Sequence, residues 1–200
     1  MNKELFTLYE KRKDAITAKL NNFCNLSENE QFKEMLFCLL TPQSNAKKCW
    51  QAVEELSKLK EFNFQNVSDI LKTRTRFHNN KTNYILEAEN TWKLIKVKID
   101  SADKIELRNF IAEIVKGYGL KEASHFLRNI GKSENKIAIL DRHILRNLKD
   151  LGIIDDEKIK NKKHYLEIEQ KFLDFSDKIG IQIDELDLLF WSKENGEIFK

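Results

Sequence analysis

Proline is almost missing from this 200-residue chain: Pro42 is the only one, and there are six glycines. Cysteine is scarce too. Cys24, Cys38 and Cys49 all fall in the first quarter and form no C-x-x-C pair. That spacing argues against a disulfide framework and against a zinc or iron–sulfur site, and leaves buried or idle thiols as the reading. The four histidines, His78, His125, His143 and His164, show neither H-x-x-x-H nor H-E-x-x-H spacing, so neither a catalytic metal nor another cofactor is expected. No apolar run approaches the roughly 18 residues of a membrane span. The opening "MNKELFTLYEKRK" is charged from its third residue and has no apolar core of the signal-peptide kind, so a cytoplasmic, nucleoid-associated protein is expected. Charge of one sign is also lacking: 35 basic residues against 32 acidic leave a net +3. Nucleic-acid binding is permitted by that balance without being demanded, and a basic surface would have to come from local clustering. Strand signals are nearly absent, and no internal repeat or low-complexity linker is visible.

What is present is helical periodicity, and the chain is read as all-α. "SENEQFKEMLFCLL" opens on a capping box of Ser27 and Glu30. Phe32, Met35, Leu36, Leu39 and Leu40 then form the stripe of a half-buried helix that Pro42 stops. A second helix is expected from about 44 to 59, and a short third one capped by Ser68. A fourth runs through Tyr84, Ala88 and Trp92, a fifth through Phe110 and Ile114, and a sixth through Ala123, Phe126 and Ile130, closed by Gly131. Further helices are expected near 142–150, 163–178 and 184–194.

Two short stretches carry chemistry. "IVKGYGLKEA" reads as helix, G-x-G turn, helix. Gly117 and Gly119 permit positive φ, and amides at the start of the next helix could hold a DNA phosphate. An ordinary αα-corner would need the same glycines only for its turn. On the following helix Lys121 falls opposite the apolar stripe, beside His125 and Arg128. In the first turn the helix macrodipole disfavours its charge and favours the neutral amine that a nucleophile needs, although a plain solvated lysine fits the position as well. "AILDRHIL" places Asp141 before the stripe Ile144, Leu145, Leu148, where it would serve as an N-cap. The helix from 121 to 130 rises about 15 Å. The segment 132–140 spans up to about 30 Å when extended, so the chain can double back and set Asp141 near Lys121.

With "GYGLKEASHFLRNIG", "AILDRHIL" and the tail "ELDLLFWSKENGEIFK", the chain resembles the helix-hairpin-helix DNA glycosylases. Within them it is most similar to the archaeal-type 8-oxoguanine DNA glycosylase/AP lyases. The resemblance covers essentially the whole chain, most specifically 111–148 and 185–200. It implies two helical lobes with a DNA-binding cleft between them: residues 28–135 carrying the hairpin, and residues 1–27 with 136–200. Lys121 matches the Schiff-base lysine and Asp141 the aspartate that stabilises the oxocarbenium-like sugar. His143 matches a phosphate contact, Phe77 in "TRFHNNK" a wedge, although a core residue at a helix entry fits it equally, and Gln43 in "LLTPQSNA" a residue that fills the vacated space. Trp191 resembles a platform for the extruded base, with core packing on the 184–194 stripe as the alternative, and Lys200, the last residue here, matches a C-terminus that folds into the base pocket. Asp187 is a candidate acceptor for the N7–H that distinguishes 8-oxoguanine from guanine, or else a first-turn helix charge. Lys72, Arg74, Arg76, Lys121, Arg128 and Arg142 are candidates for the basic face. The four-cysteine cluster common in related thymine-glycol and adenine-mismatch enzymes is absent, and the lysine that monofunctional alkyl-base glycosylases lack is present.

The expectation is therefore a monomeric, bifunctional enzyme acting on damaged double-stranded DNA. Alternatives are a glycosylase for another damaged base, a non-catalytic helix-hairpin-helix DNA-binding module, and an all-α interaction protein.

Overall fold

The computed structural model describes residues 2–200, apart from the side chains of Asn2 and Asn195. Among the described residues all regular structure is helical. The ten helices are α1 Asn2–Cys24, α2 Glu28–Leu40, α3 Ala46–Leu56, α4 Phe64–Leu71, α5 His78–Lys96, α6 Lys104–Ile114, α7 Leu120–Asn129, α8 Arg142–Asp150, α9 Lys162–Ile179 and α10 Ile183–Asn195. They fall into two compact units, Leu26–Phe126 and Met1–Asn25 with Leu127–Lys200. The sequence-based limits of 28 and 135 differ at the second boundary, which lies inside α7.

The unit Leu26–Phe126 is built on α2. The capping box forms as its spacing predicts: Ser27 N donates to Glu30 Oε2 at 2.8 Å, and Glu30 N donates to Ser27 Oγ at 3.4 Å. Met35, Leu36, Leu39 and Leu40 are buried against α3 and α5. Ser68 does not cap α4. Its N-cap is Asn63, in a reciprocal pair with Asn66, and the helix starts five residues earlier than Ser68 suggests. Asparagine caps as well as serine does, and the Asn63–Asn66 pair outcompetes a serine that lies one turn inside. The α5 helix starts at His78, two turns ahead of its apolar stripe.

In the other unit α10 packs against α1, α8 and α9. Leu186, Leu189 and Phe190 are buried, and Phe190 stacks on Phe172 with ring centroids 5.9 Å apart. The long α1 buries Leu5, Tyr9, Ile16 and Phe23. Those residues are widely spaced and interleaved with charge, so the periodicity is weak. Gly131 closes α7 with φ +66, as expected of a C′ residue, and Lys132 N bonds back to Leu127 O at 2.8 Å. No disulfide joins the described cysteines, and Cys38 and Cys49 are buried.

Candidate functional site

The hairpin joins α6 to α7. Gly117 adopts φ +93, and a Cβ there would lie 2.5 Å from the Tyr84 ring, so both backbone conformation and close approach require glycine. Tyr118 anchors the turn by donating its hydroxyl to Met35 O at 2.8 Å. Gly119 differs from the expectation. Its φ is not positive, and its amide donates to Glu122 Oε2 at 3.1 Å. The amide read as open to a phosphate is thus engaged by a carboxylate three residues on, which caps the helix start. The other oxygen of that carboxylate, Oε1, lies 2.8 Å from Lys121 Nζ. Lys121 sits in the first turn of α7, its side chain 25% exposed, and is held in an ion pair rather than left as a solitary amine. Glu122 was missed, yet G-x-x-E carries the spacing of a capping box and could have shown it.

The outer face expected for α7 is not all exposed. His125 is half-buried, edge-on to Phe37. Arg128 is buried, paired with Asp187 at 2.9 Å, and its guanidinium lies 5.4 Å from the centre of the Phe23 ring. Arg128 therefore contributes no basic surface. Asp187 stands in the second turn of α10, where Asp184 and Glu185 are the first-turn acids. Its carboxylate serves Arg128, which corrects the first-turn reading and gives the residue a packing role in this unit.

Asp141 is reached by a buried run outside any helix, residues 137–140. Ala138 N donates to Glu169 Oε1 at 2.8 Å, and Ala138 O accepts from the Tyr165 hydroxyl at 2.7 Å. These α9 side chains satisfy backbone groups that no strand partner serves, and so fix where the run ends. Asp141 then caps α8: Oδ1 accepts from His143 N at 2.8 Å and Ile144 N at 2.9 Å. Both bonds use one oxygen, so Oδ2 stays outside the cap. The half-buried His143 has Nδ1 3.8 Å from Glu194 Oε2, and its Nε2 accepts from Arg142 Nε at 3.4 Å. Arg142 is exposed.

Gln43 and Phe77 are both exposed and both have left-handed backbones, φ 55 and 57. Phe77, 54% exposed, is the N-cap of α5 without a side-chain cap bond. A core position is thereby excluded for it. Its ring is covered on one side by the Arg76 guanidinium at 5.3 Å. Behind them lies Lys81, buried, which the sequence reading also missed. Its register with Ile85, Ala88 and Trp92, all buried, is the signal that could have found it. On α10, Trp191 is half-buried and stacked with Phe199 at 6.3 Å and 29°, and Lys200 is half-buried. Lys121, Gln43 and Phe77 belong to the unit Leu26–Phe126, and Asp141, Arg142, His143, Asp187, Trp191 and Lys200 to the other.

A family model described as 8-oxoguanine DNA glycosylase matches residues 16–181. A Fusobacterium nucleatum protein named 8-oxoguanine DNA glycosylase/AP lyase is 41% identical over 213 aligned positions, covering 98% of this chain and 96% of its own. The crystal structure of Methanocaldococcus jannaschii 8-oxoguanine DNA glycosylase superposes with a TM-score of 0.88 at 32% identity, over 99% of this chain and 95% of that one. The Methanocaldococcus jannaschii enzyme in complex with a 15mer DNA containing 8-oxoguanine superposes with a TM-score of 0.86 at 31% identity, covering 98% and 100%. On sequence across most of its length, and on fold, this chain belongs to the 8-oxoguanine DNA glycosylase family.

Proposed function

We propose that the chain is a bifunctional DNA glycosylase/AP lyase that excises 8-oxoguanine from duplex DNA, with Lys121 as nucleophile and Asp141 as the electrostatic partner. The observation that carries this reading is a lysine amine in the first turn of the helix after a glycine-required hairpin, in a chain of this family. Its partner is damaged double-stranded DNA, bound by a monomer. Among the described residues no helix is long and apolar enough to cross a membrane, and a cytoplasmic, nucleoid-associated location fits the function.

The base must first leave the stack, at a cost of a few kcal/mol. Phe77 wedges into the stack and Gln43 fills the space the base vacates. Trp191 offers an aromatic face worth about 1–3 kcal/mol per stacked base, with Lys200 at the same end of the chain. Asp187 as a reader of the N7–H would share its buried carboxylate with Arg128. Arg142 and His143 hold the phosphate beside the lesion. The Lys121 ammonium sheds a proton before attack, and the Glu122 carboxylate is in contact to receive it. The amine then bonds to C1′ as the glycosidic bond breaks, and the departing base takes up a proton. Asp141 stabilises the positive charge that develops on the sugar. The C1′–O4′ bond then breaks, O4′ taking a proton as the ring opens, and the resulting protonated imine loses a C2′ proton and expels the 3′ phosphate, nicking the strand.

Borohydride reduction on 8-oxoguanine DNA tests this directly. The wild-type chain becomes covalently trapped, and Lys121→Gln loses both trapping and excision. Near wild-type excision by Lys121→Gln would refute the lysine's role. A panel of other damaged bases tests the choice of lesion.

A further inference from the structure

Lys81 is 4% exposed on the inner side of α5. Its amine donates to Leu40 O at 2.7 Å, Pro42 O at 2.9 Å and Ser44 Oγ at 2.9 Å. An ammonium has three donors, so the group is fully committed, and to uncharged oxygens alone. Ser44 Oγ also accepts from Arg76 N at 2.9 Å. One ammonium and one hydroxyl therefore join the turn that carries Gln43 to the residue just before Phe77.

The two ends of this bridge share a second property. Among the described residues of the unit Leu26–Phe126, Gln43 and Phe77 are the non-glycine residues with positive φ. Both are exposed, so core packing does not hold them in a conformation such residues rarely adopt. Burial pushes the Lys81 amine down to about 8, with the charges of Lys121 and Arg76 adding to the effect and Cys49 opposing it. Methionine would fill the same space without that desolvation cost, so what the amine adds is the bridge.

We propose that Lys81, acting through Ser44, is a positioning residue that presets Gln43 and Phe77 for entry into the base stack. The inference rests on the reading above that these two side chains wedge and fill. A base held by extrusion machinery depends on it most when extrusion is costly, as for a stacked and paired lesion.

Single-turnover excision is measured on two duplexes, one with 8-oxoguanine opposite cytosine and one with it opposite an abasic residue, where extrusion is cheaper. Lys81→Met and Ser44→Ala are expected to slow the first by about tenfold or more, while staying within about threefold of wild type on the second. Ser44→Thr, which keeps the hydroxyl, restores the rate. In the Lys121→Gln background, a 2-aminopurine beside the lesion brightens on binding, and adding Ser44→Ala removes the brightening. Equal losses on both duplexes, or no loss on the paired one, overturn the proposal and leave the glycosylase reading standing. Absence of excision by the wild-type chain would instead defeat the glycosylase reading on which it rests. Ser44→Ala removes no buried charge, so it decides the matter even where Lys81→Met folds poorly.

Discussion

Arg128 and Asp187 show how far burial decides what a charged residue does. On a helical wheel Arg128 sits beside Lys121, and that shared face does not say which of them is exposed. In the fold one is 3% exposed with a carboxylate at 2.9 Å, and the other keeps a quarter of its side chain in solvent. Removing one partner of a buried pair costs about 3–5 kcal/mol, because the other charge is left uncompensated. Asp187→Asn is therefore expected to lower stability by about that amount in urea denaturation. An unchanged midpoint with lost discrimination between 8-oxoguanine and guanine would return Asp187 to base recognition. Lys121 was legible because it follows a hairpin motif. Its contact with Glu122 was legible only as a spacing, and the 2.8 Å ion pair needed side-chain geometry.

At the scale of elements, Asp141 has two roles that substitution can separate. Asparagine caps a helix about as well as aspartate, whereas alanine costs about 0.5–2 kcal/mol. Asp141→Asn is expected to melt close to wild type and yet lose most of its excision rate, since the amide has no charge to stabilise a cationic sugar. If Asp141→Asn excises normally, the carboxylate is only a cap. Most helices were readable from apolar stripes and stop signals: α2, α8, α9 and α10 lie close to their expected ranges. The failures have local causes. Ser68 loses to the Asn63–Asn66 pair, and α1 carries its buried residues too sparsely among charges to register as a stripe. G-x-G looked symmetric in sequence, but only Gly117 meets a side chain that a Cβ would strike.

For the whole molecule, a net charge of +3 matters less than which cations remain unpaired. Lys72 is 3.2 Å from Asp69, Arg74 is 2.5 Å from Glu55, Lys121 is 2.8 Å from Glu122, and Arg128 is buried against Asp187, so four of the six residues expected to form a basic face already have an acidic partner. Arg76 and Arg142 are exposed. Substituting either with alanine is expected to reduce the slope of log affinity against log salt by about one, since a lost phosphate contact releases one fewer counterion. Arg74→Ala should leave the slope unchanged, and titrations of lesion DNA at graded salt would reveal the reverse. The sequence by itself determined the helical class, the hairpin, the nucleophile candidate and the capping aspartate, because each is written in residue type at short spacing. Tertiary structure alone decided which charges are buried or paired, which loops are held by Lys81, and that Phe77 faces solvent. Those outcomes depend on residues distant in the chain, whose desolvation and hydrogen bonding exist only once the helices are packed.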